Sequence, residues 1–143
     1  MTYAFWDTNL FIYQWDTTSV FRPSVRALRE KFLEAGVGLV TSAMTLGEVM
    51  TKPRKGGNEV LAQQYRTAVL QTSTVVPFDQ ETADLYASIR AQTNVRQPDG
   101  IQLASAAKHG VELFITNDKD LWKLRISGIH FIVSIETALT LIR

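Results

Sequence analysis

The chain has 143 residues, of which 45% are hydrophobic and 20% charged, a composition typical of a globular protein with one core. Its formal charge of +1 excludes recognition of nucleic acid through net charge alone, so any basic surface must be local. The absence of cysteine excludes disulfides and thiolate metal sites. No apolar run is long enough for a membrane span, and no signal-peptide pattern is present. We therefore expect a cytoplasmic protein with no membrane partner.

Short apolar runs alternate with amphipathic segments in the first half of the chain. The predicted elements are, in order, a strand over 3–6, a helix from Thr8 or Asn9, a helix over 21–35, a strand over 38–41 and a helix from Ser42 to about Met50. Residues 52–58 (K-P-R-K-G-G-N) are rich in proline, glycine and positive charge. This composition predicts a flexible basic loop.

The same alternation continues in the second half. It predicts helices over 59–71, 81–93, from Pro98 to near Gly110 and over 135–142, and strands over 74–78, 112–115 and 130–133. Short strands separated by helices indicate an α/β fold, in which one parallel sheet is covered by helices. We expect residues 1–143 to form one such domain. In sheets of this kind, ligands bind outside the carboxyl ends of the strands, where the strand order reverses.

Four acids stand beside apolar elements, where a surface carboxylate has no evident need to be. They are Asp7 after Y-A-F-W, Glu48 in T-L-G-E-V, Asp99 in Q-P-D-G-I-Q-L-A-S-A-A and Asp118 in L-F-I-T-N-D. Carboxylates that lie close together repel each other unless a cation compensates them, and ligands that are all oxygens select a hard ion such as Mg²⁺ or Mn²⁺. Such an ion activates water, and its natural use here is hydrolysis of a phosphodiester.

Each acid also has an ordinary structural explanation when it is taken alone. Asp7 and Asp118 could cap helices, since aspartate is a preferred N-cap residue. Asp99 could be a first-turn acid favoured by the helix dipole. Glu48 could be an exposed helical acid. The four acids together favour the metal site.

Four motifs of the chain resemble, in order and over almost its whole length, those of PIN domains, and most closely those of the VapC-type toxins of bacterial toxin–antitoxin pairs. They are F-W-D-T-N, V-T-S-A-M-T-L-G-E-V, Q-P-D-G-I-Q-L-A-S-A-A and L-F-I-T-N-D-K-D-L. The resemblance implies a PIN-like three-layer α/β/α fold with a five-stranded parallel sheet in the order 3-2-1-4-5. It also implies an endoribonuclease that depends on Mg²⁺ or Mn²⁺ and cleaves structured RNA, such as tRNA or rRNA.

The resemblance further implies a cognate antitoxin and a homodimer. We expect the antitoxin to be anchored on apolar side chains of the first two helices, unless these lie in the core or the dimer interface. They are Leu10, Phe11, Trp15 and Phe21.

Carried onto this sequence residue by residue, the resemblance implies which acids bind metal and act in catalysis. They are Asp7, Glu48, Asp99 and Asp118. Asn9 and Thr116 match accessory polar positions, and Asp120 matches a further acid of some members, although on its own it is typical of a solvated surface acid. One departure is Gly100, where many relatives carry alanine, and we expect it to loosen the first turn of its helix.

Basic residues near these motifs are candidates for contacts with RNA phosphates. Lys52, Arg54 and Lys55 belong to the predicted loop that follows Glu48, and Arg96 precedes Asp99 closely. We therefore expect these residues to lie near the metal site and to contact the substrate.

Other functions remain open. A catalytically silent PIN fold could serve as a binding module, although a scaffold has no reason to keep a repulsive set of acids. A housekeeping PIN nuclease would work without an antitoxin. A haloacid-dehalogenase-like phosphatase is a further candidate, but that family requires an acid where Asn9 stands.

Overall fold

The computed structural model describes residues 2–143 and contains a five-stranded sheet in which every neighbouring pair is parallel. The strands are β1 (Tyr3–Trp6), β2 (Gly38–Ser42), β3 (Thr74–Val76), β4 (Val111–Ile115) and β5 (Ile129–Val133). Their order across the sheet is β3-β2-β1-β4-β5, as predicted. The chain thus builds one side of the sheet from β1 outward and then returns to build the other side from β4. The strand order reverses between β1 and β4, and a ligand site is expected outside the carboxyl ends of these two strands.

Helices connect the strands and cover the sheet. They are α1 (Thr8–Trp15), α2 (Arg22–Ala35), α3 (Ala43–Lys55), α4 (Glu59–Thr72), α5 (Gln80–Gln92), α6 (Gln97–His109) and α7 (Ile135–Leu141), with a 3₁₀ turn at Lys119–Leu121. No helix within residues 2–143 is both long and apolar enough to cross a membrane.

Two hydrophobic cores lie on opposite faces of the sheet. Along β1, Ala4 and Trp6 belong to one core and Phe5 to the other, because successive side chains of a strand point to opposite faces. The first core is completed by side chains of α1, α2, α3, α4 and α7, and the second by side chains of α5 and α6. This arrangement is the predicted three-layer fold.

The carboxyl end of α3 differs from the prediction. The helix continues past Met50 to Lys55, so the prediction of a flexible loop over 52–58 is wrong for its first four residues. Proline lacks an N–H and usually disrupts a helix. Here the Pro53 ring is buried, and its carbonyl oxygen accepts the Asn58 N–H at 2.8 Å. These contacts keep the last turn helical.

Two smaller differences also have local causes. The strand β3 ends at Val76 rather than Phe78, because Pro77 has no N–H to offer to a neighbouring strand. Gly100 does not loosen α6, since its N–H donates to the Arg96 carbonyl at 2.9 Å. A Cβ at Gly100 would lie 3.0 Å from the Tyr86 ring, so glycine lets α5 pack closely on α6.

Two of the predicted anchors for a partner are core residues. Leu10 and Phe11 have no exposed surface, so the prediction that they offer apolar surface to an antitoxin is wrong, and the alternative that they lie in the core is correct. Both side chains pack in the core that α1 shares with α2 and α7. Trp15 and Phe21 remain partly exposed, and the Trp15 ring stacks on Tyr65 at 4.2 Å.

Candidate active site

Asp7 lies where β1 ends and α1 begins, beside the point where the strand order reverses. One carboxylate oxygen accepts the Thr8 N–H at 2.7 Å, so Asp7 does cap α1. The other oxygen accepts the Thr116 hydroxyl at 2.8 Å. Burial raises the pKa of Asp7 above its ordinary value, these two hydrogen bonds oppose the rise, and the charges of Asp99 and Glu48 add to it. Asp7 is therefore both the N-cap of α1 and a member of the acidic group.

Thr116 joins two of the acids. It is fully buried directly after β4, and its hydroxyl donates to Asp7 while accepting the Asp118 N–H at 3.1 Å. The Asp118 carboxylate in turn accepts the Asp120 N–H at 3.0 Å and caps the 3₁₀ turn. The capping explanation for Asp118 is thus correct as well. The predicted accessory hydroxyl thus links Asp7, directly after β1, to Asp118, which follows β4.

Asp99 lies in the first turn of α6 and faces both Asp7 and Asp118. Burial raises the pKa of Asp99, the Arg96 guanidinium opposes the rise, and the Asp118 charge adds to it. The Arg96 Nε lies 3.5 Å from the Asp99 carboxylate, while most of the Arg96 side chain is exposed. Arg96 therefore compensates part of the negative charge and still reaches solvent.

Glu48 completes the acidic group from α3. Its side chain is exposed, and its carboxylate accepts the Thr8 hydroxyl at 2.6 Å. The four acids thus come from four parts of the chain to one edge of the sheet. Their charges interact. The Asp99 and Glu48 charges raise the pKa of Asp7, and the Asp118 charge raises the pKa of Asp99.

The donor chemistry of the site fits a hard cation. The candidate ligands are all carboxylate and hydroxyl oxygens, which Mg²⁺ and Mn²⁺ prefer. His109 lies far from this edge, because it contacts Tyr3 at the opposite end of β1. As the side chains of residues 2–143 stand, no three acids or histidines form a group that could hold an ion by themselves. An ion that keeps most of its waters, as Mg²⁺ does, needs only one or two direct carboxylates.

A buried network of hydroxyls and one amide lies beneath Asp7 and Glu48, and it was not predicted from the sequence. Its members are Thr8, Thr41, Ser42, Thr45 and Gln102, each no more than 5% exposed. The Gln102 amide contacts the side chains of Ser42, Thr8 and Thr45. The sequence does contain one signal for it, since Gln102 is the only amide in the uncharged run I-Q-L-A-S-A-A.

Two clefts flank the acids. One, of about 670 Å³, adjoins Asp99 and Asp118, and its remaining lining residues are Gln92, Thr93, Asn94, Val95, Arg96, Asp120, Leu121, Lys123 and Leu124. The other, of about 340 Å³, is lined by Glu48, Thr51, Lys52 and Lys55. Each cleft also carries two cationic side chains beside its acids, Lys52 and Lys55 in the smaller cleft and Arg96 and Lys123 in the larger one.

Two predicted residues are not part of this arrangement. Arg54 forms a bidentate ion pair with Glu59, with both N–O distances 2.9 Å, and this pairing lowers the pKa of Glu59 to about 2. Asn9 is exposed on α1, and among residues 2–143 its amide bonds to none of the four acids. Asn94 and Lys123 line the larger cleft, and neither belongs to a motif of the sequence that singles it out.

The chain matches the family model of the PIN domain over residues 4–126. Three solved structures share the fold. A VapBC2 complex from Rickettsia felis, bound to a DNA fragment from its promoter, is 14% identical with a TM-score of 0.74, and the match covers 93% of this chain and 98% of that one. A DNA-bound VapBC complex from Salmonella typhimurium is 22% identical, with a TM-score of 0.71 and coverage of 94% and 99%. A toxin–antitoxin complex from Klebsiella pneumoniae is 28% identical, with a TM-score of 0.64 and coverage of 88% and 94%. A search of curated proteins found no significant match.

Proposed function

Since this chain belongs to the PIN domain family, we propose that it is a metal-dependent endoribonuclease, and more specifically the VapC-type toxin of a type II toxin–antitoxin system. The observation that supports the nuclease is the environment of Asp7. Its carboxylate is largely removed from water, it is oriented by two hydrogen bonds, and its pKa is raised in part by two further acids. A binding module without catalysis gains nothing from this repulsion, whereas a cation relieves it.

The proposed metal ligands are Asp7, Glu48, Asp99 and Asp118, and the proposed cation is Mg²⁺ or Mn²⁺. When bound, the cation would supply Lewis-acid chemistry for hydrolysis of a phosphodiester. Thr116 orients Asp7, and Thr8 orients Glu48. Arg96 compensates part of the charge of Asp99 and can donate to a phosphate at the same time. Hydrolysis by in-line attack would leave 5′-phosphate and 3′-hydroxyl ends on the RNA.

Two surfaces, each with a pair of cations beside the acids, support a path for the substrate. Lys52 and Lys55 lie beside Glu48, and Arg96 and Lys123 line the cleft beside Asp99. We propose that an RNA backbone runs from one surface to the other, so that one phosphodiester lies over the acids. Structured RNA, such as tRNA or rRNA, is the proposed substrate class. Arg54 is left out of this path because Glu59 occupies its guanidinium.

An antitoxin is the proposed protein partner, alongside a homodimer of the chain. The Klebsiella structure that is 28% identical is a toxin–antitoxin complex, which supports such a partner here. A groove of about 650 Å³ between α1, α3 and α4 exposes Ile12, Trp15, Leu61 and Tyr65, and Glu48 lies at its edge. An apolar segment in this groove could present a cation to Glu48. A cytoplasmic location is proposed together with this activity and partner, since cellular RNA and an antitoxin would both be met there.

Cleavage of RNA by the purified chain tests the enzyme. We expect structured RNA to be cut with Mg²⁺ or Mn²⁺, and cutting to stop in EDTA and return when the metal is restored. Asp118→Asn should lose cleavage, whereas Asp84→Asn, which changes an exposed acid of α5, should retain it. Activity that survives exhaustive chelation, or that is equal in Asp118→Asn and the parent, would contradict the proposal.

Expression in cells tests the toxin. We expect growth arrest when the chain is expressed alone, and rescue when the product of the neighbouring gene is expressed with it. If expression alone is harmless while the purified chain cuts RNA, the chain is a housekeeping nuclease. If it neither cuts RNA nor arrests growth but binds the neighbouring product, it is a silent binding module.

A further inference from the structure

Gln102 lies at the centre of the buried network, although it touches none of the four acids. It is 2% exposed on α6, one turn after Asp99. Its amide nitrogen donates to the Thr8 hydroxyl at 2.9 Å and to the Thr45 hydroxyl at 3.1 Å, and its carbonyl oxygen accepts the Ser42 hydroxyl. Both amide hydrogens and the carbonyl oxygen are therefore used, so this orientation satisfies the buried amide.

Counting the hydrogens shows why the orientation of Gln102 matters for Glu48. A hydroxyl has one hydrogen, and an ionised carboxylate can only accept. The Thr8 hydroxyl therefore donates its hydrogen to Glu48, 2.6 Å away. Towards Gln102 and the Thr45 hydroxyl, which is 3.1 Å away, it can then only accept. An amide turned the other way would place a second acceptor against Thr8 and compete for the same hydrogen.

Glu48 needs such support, because its side chain is exposed and a free glutamate samples several rotamers. We propose that Gln102 is a positioning residue of the nuclease: it keeps the Thr8 hydroxyl pointing at Glu48 and so holds that carboxylate beside Asp7 in readiness for a cation. The proposal rests on the proposed function. It makes Gln102 part of the support of the site, two hydrogen bonds away from the ligand, and gives a reason for an amide among the buried residues of α6.

Calorimetric titration with Mn²⁺ tests the proposal on the purified chain. Gln102→Met keeps an unbranched side chain of similar length but removes both donors to the hydroxyls. Loss of a residue that orients a metal ligand typically weakens metal binding by about tenfold or more. Because Gln102 acts through Thr8, we expect the Mn²⁺ Kd to rise by roughly three- to tenfold. Cleavage should recover at saturating Mn²⁺.

The matched control is Ser105→Ala. Ser105 is buried on the same helix, but its hydroxyl donates to the Ile101 carbonyl rather than to the network. This variant should leave the Mn²⁺ Kd unchanged even if it lowers the melting temperature. An equal rise of the Kd in both variants would show that loss of stability, and not positioning, is responsible, and would overturn the proposal.

A mutant cycle with Thr8 tests the route of the effect. Thr8→Val removes the hydroxyl at nearly constant shape and should raise the Kd by about tenfold, while Thr8→Ser keeps the hydroxyl and should restore most of the affinity. If Gln102 acts through Thr8, adding Gln102→Met to Thr8→Val should cause no further rise. Additive effects would overturn the proposal.

The outcomes separate this proposal from the proposed function. If the parent chain cuts RNA and binds Mn²⁺ but Gln102→Met binds it equally well, the positioning role alone is wrong. If the parent chain binds no Mn²⁺ and cuts no RNA, the proposed function is wrong and the positioning role is wrong with it. If Gln102→Met does not unfold cooperatively, Gln102→Asn is measured in its place. Its side chain is one methylene shorter, so its amide no longer reaches the Thr8 hydroxyl.

Discussion

Asp7→Asn should abolish RNA cleavage and yet make the metal-free protein more stable at neutral pH. The amide is nearly isosteric with the carboxylate. Its oxygen can still accept the Thr8 N–H, and its nitrogen can donate to the Thr116 hydroxyl. The buried Thr116 hydroxyl then loses its acceptor, which offsets part of the gain in stability. The N-cap of α1 is therefore preserved, since asparagine caps as well as aspartate. What the substitution removes is a charge that is largely shielded from water beside two other acids.

The size of both effects follows from the structure. Loss of a ligand to a cation that contributes several kcal/mol to catalysis should slow cleavage by about 10²- to 10⁴-fold. For stability, each unit by which the folded-state pKa of Asp7 is raised corresponds to about 1.4 kcal/mol of unfolding free energy at neutral pH. For a chain of this length, 1 kcal/mol moves the Tm by about 4 °C. Asp7→Ala, which also loses the cap, should be less stable than Asp7→Asn by about 1 kcal/mol.

Melting curves in EDTA across pH provide the assay. Because burial raises the folded-state pKa of Asp7 above its ordinary 3.8, the protonated acid stabilises the fold at low pH, and this contribution is lost as pH rises through the folded-state pKa. The Tm difference between Asp7→Asn and the parent should therefore be near zero below pH 3.8 and positive above the folded-state pKa. A variant that is less stable than the parent at pH 7, or a difference independent of pH, would refute the argument. Equal cleavage by both proteins at saturating Mg²⁺ would refute the catalytic role.

The other predictions concern metal binding, RNA binding and Asp99. Mn²⁺ should raise the Tm of the parent in proportion to the logarithm of its concentration and leave Asp7→Asn nearly unchanged, as differential scanning fluorimetry would show. Lys52→Glu should raise the KM for RNA by about tenfold and make it less dependent on salt, because one phosphate contact is lost. Arg54→Glu should mainly lower the Tm, because it breaks an ion pair with Glu59, and cleavage assays at several salt concentrations separate the two variants. Asp99→Asn should, like Asp7→Asn, raise the Tm in EDTA at neutral pH, since burial raises the pKa of Asp99 too, and an unchanged or lower Tm would contradict this.

Much of the fold could be predicted because its signals are local. Strands and helices followed from short apolar runs. The Ser42 and Asp79 side chains cap α3 and α5, each accepting an N–H three residues further along the chain. The strand order and the PIN family were implied by the four motifs, and both are confirmed. The positions of Asp7 and Asp118 just past β1 and β4 also followed, because parallel strands bring their carboxyl ends to one edge. The roles of the four acids stay predictions.

The remaining features depended on contacts between distant parts of the chain. Burial of the Pro53 ring keeps α3 helical where the local composition predicted a loop. Leu10 and Phe11 are core residues because α2 and α7 cover them, and no pattern within α1 distinguishes this from a surface that awaits a partner. Gln102 lies 94 residues from Thr8 in sequence and within 2.9 Å in space. Periodicity records which face of a helix is apolar, but the partner of a buried amide is decided only when the sheet brings β1, β2 and α6 together.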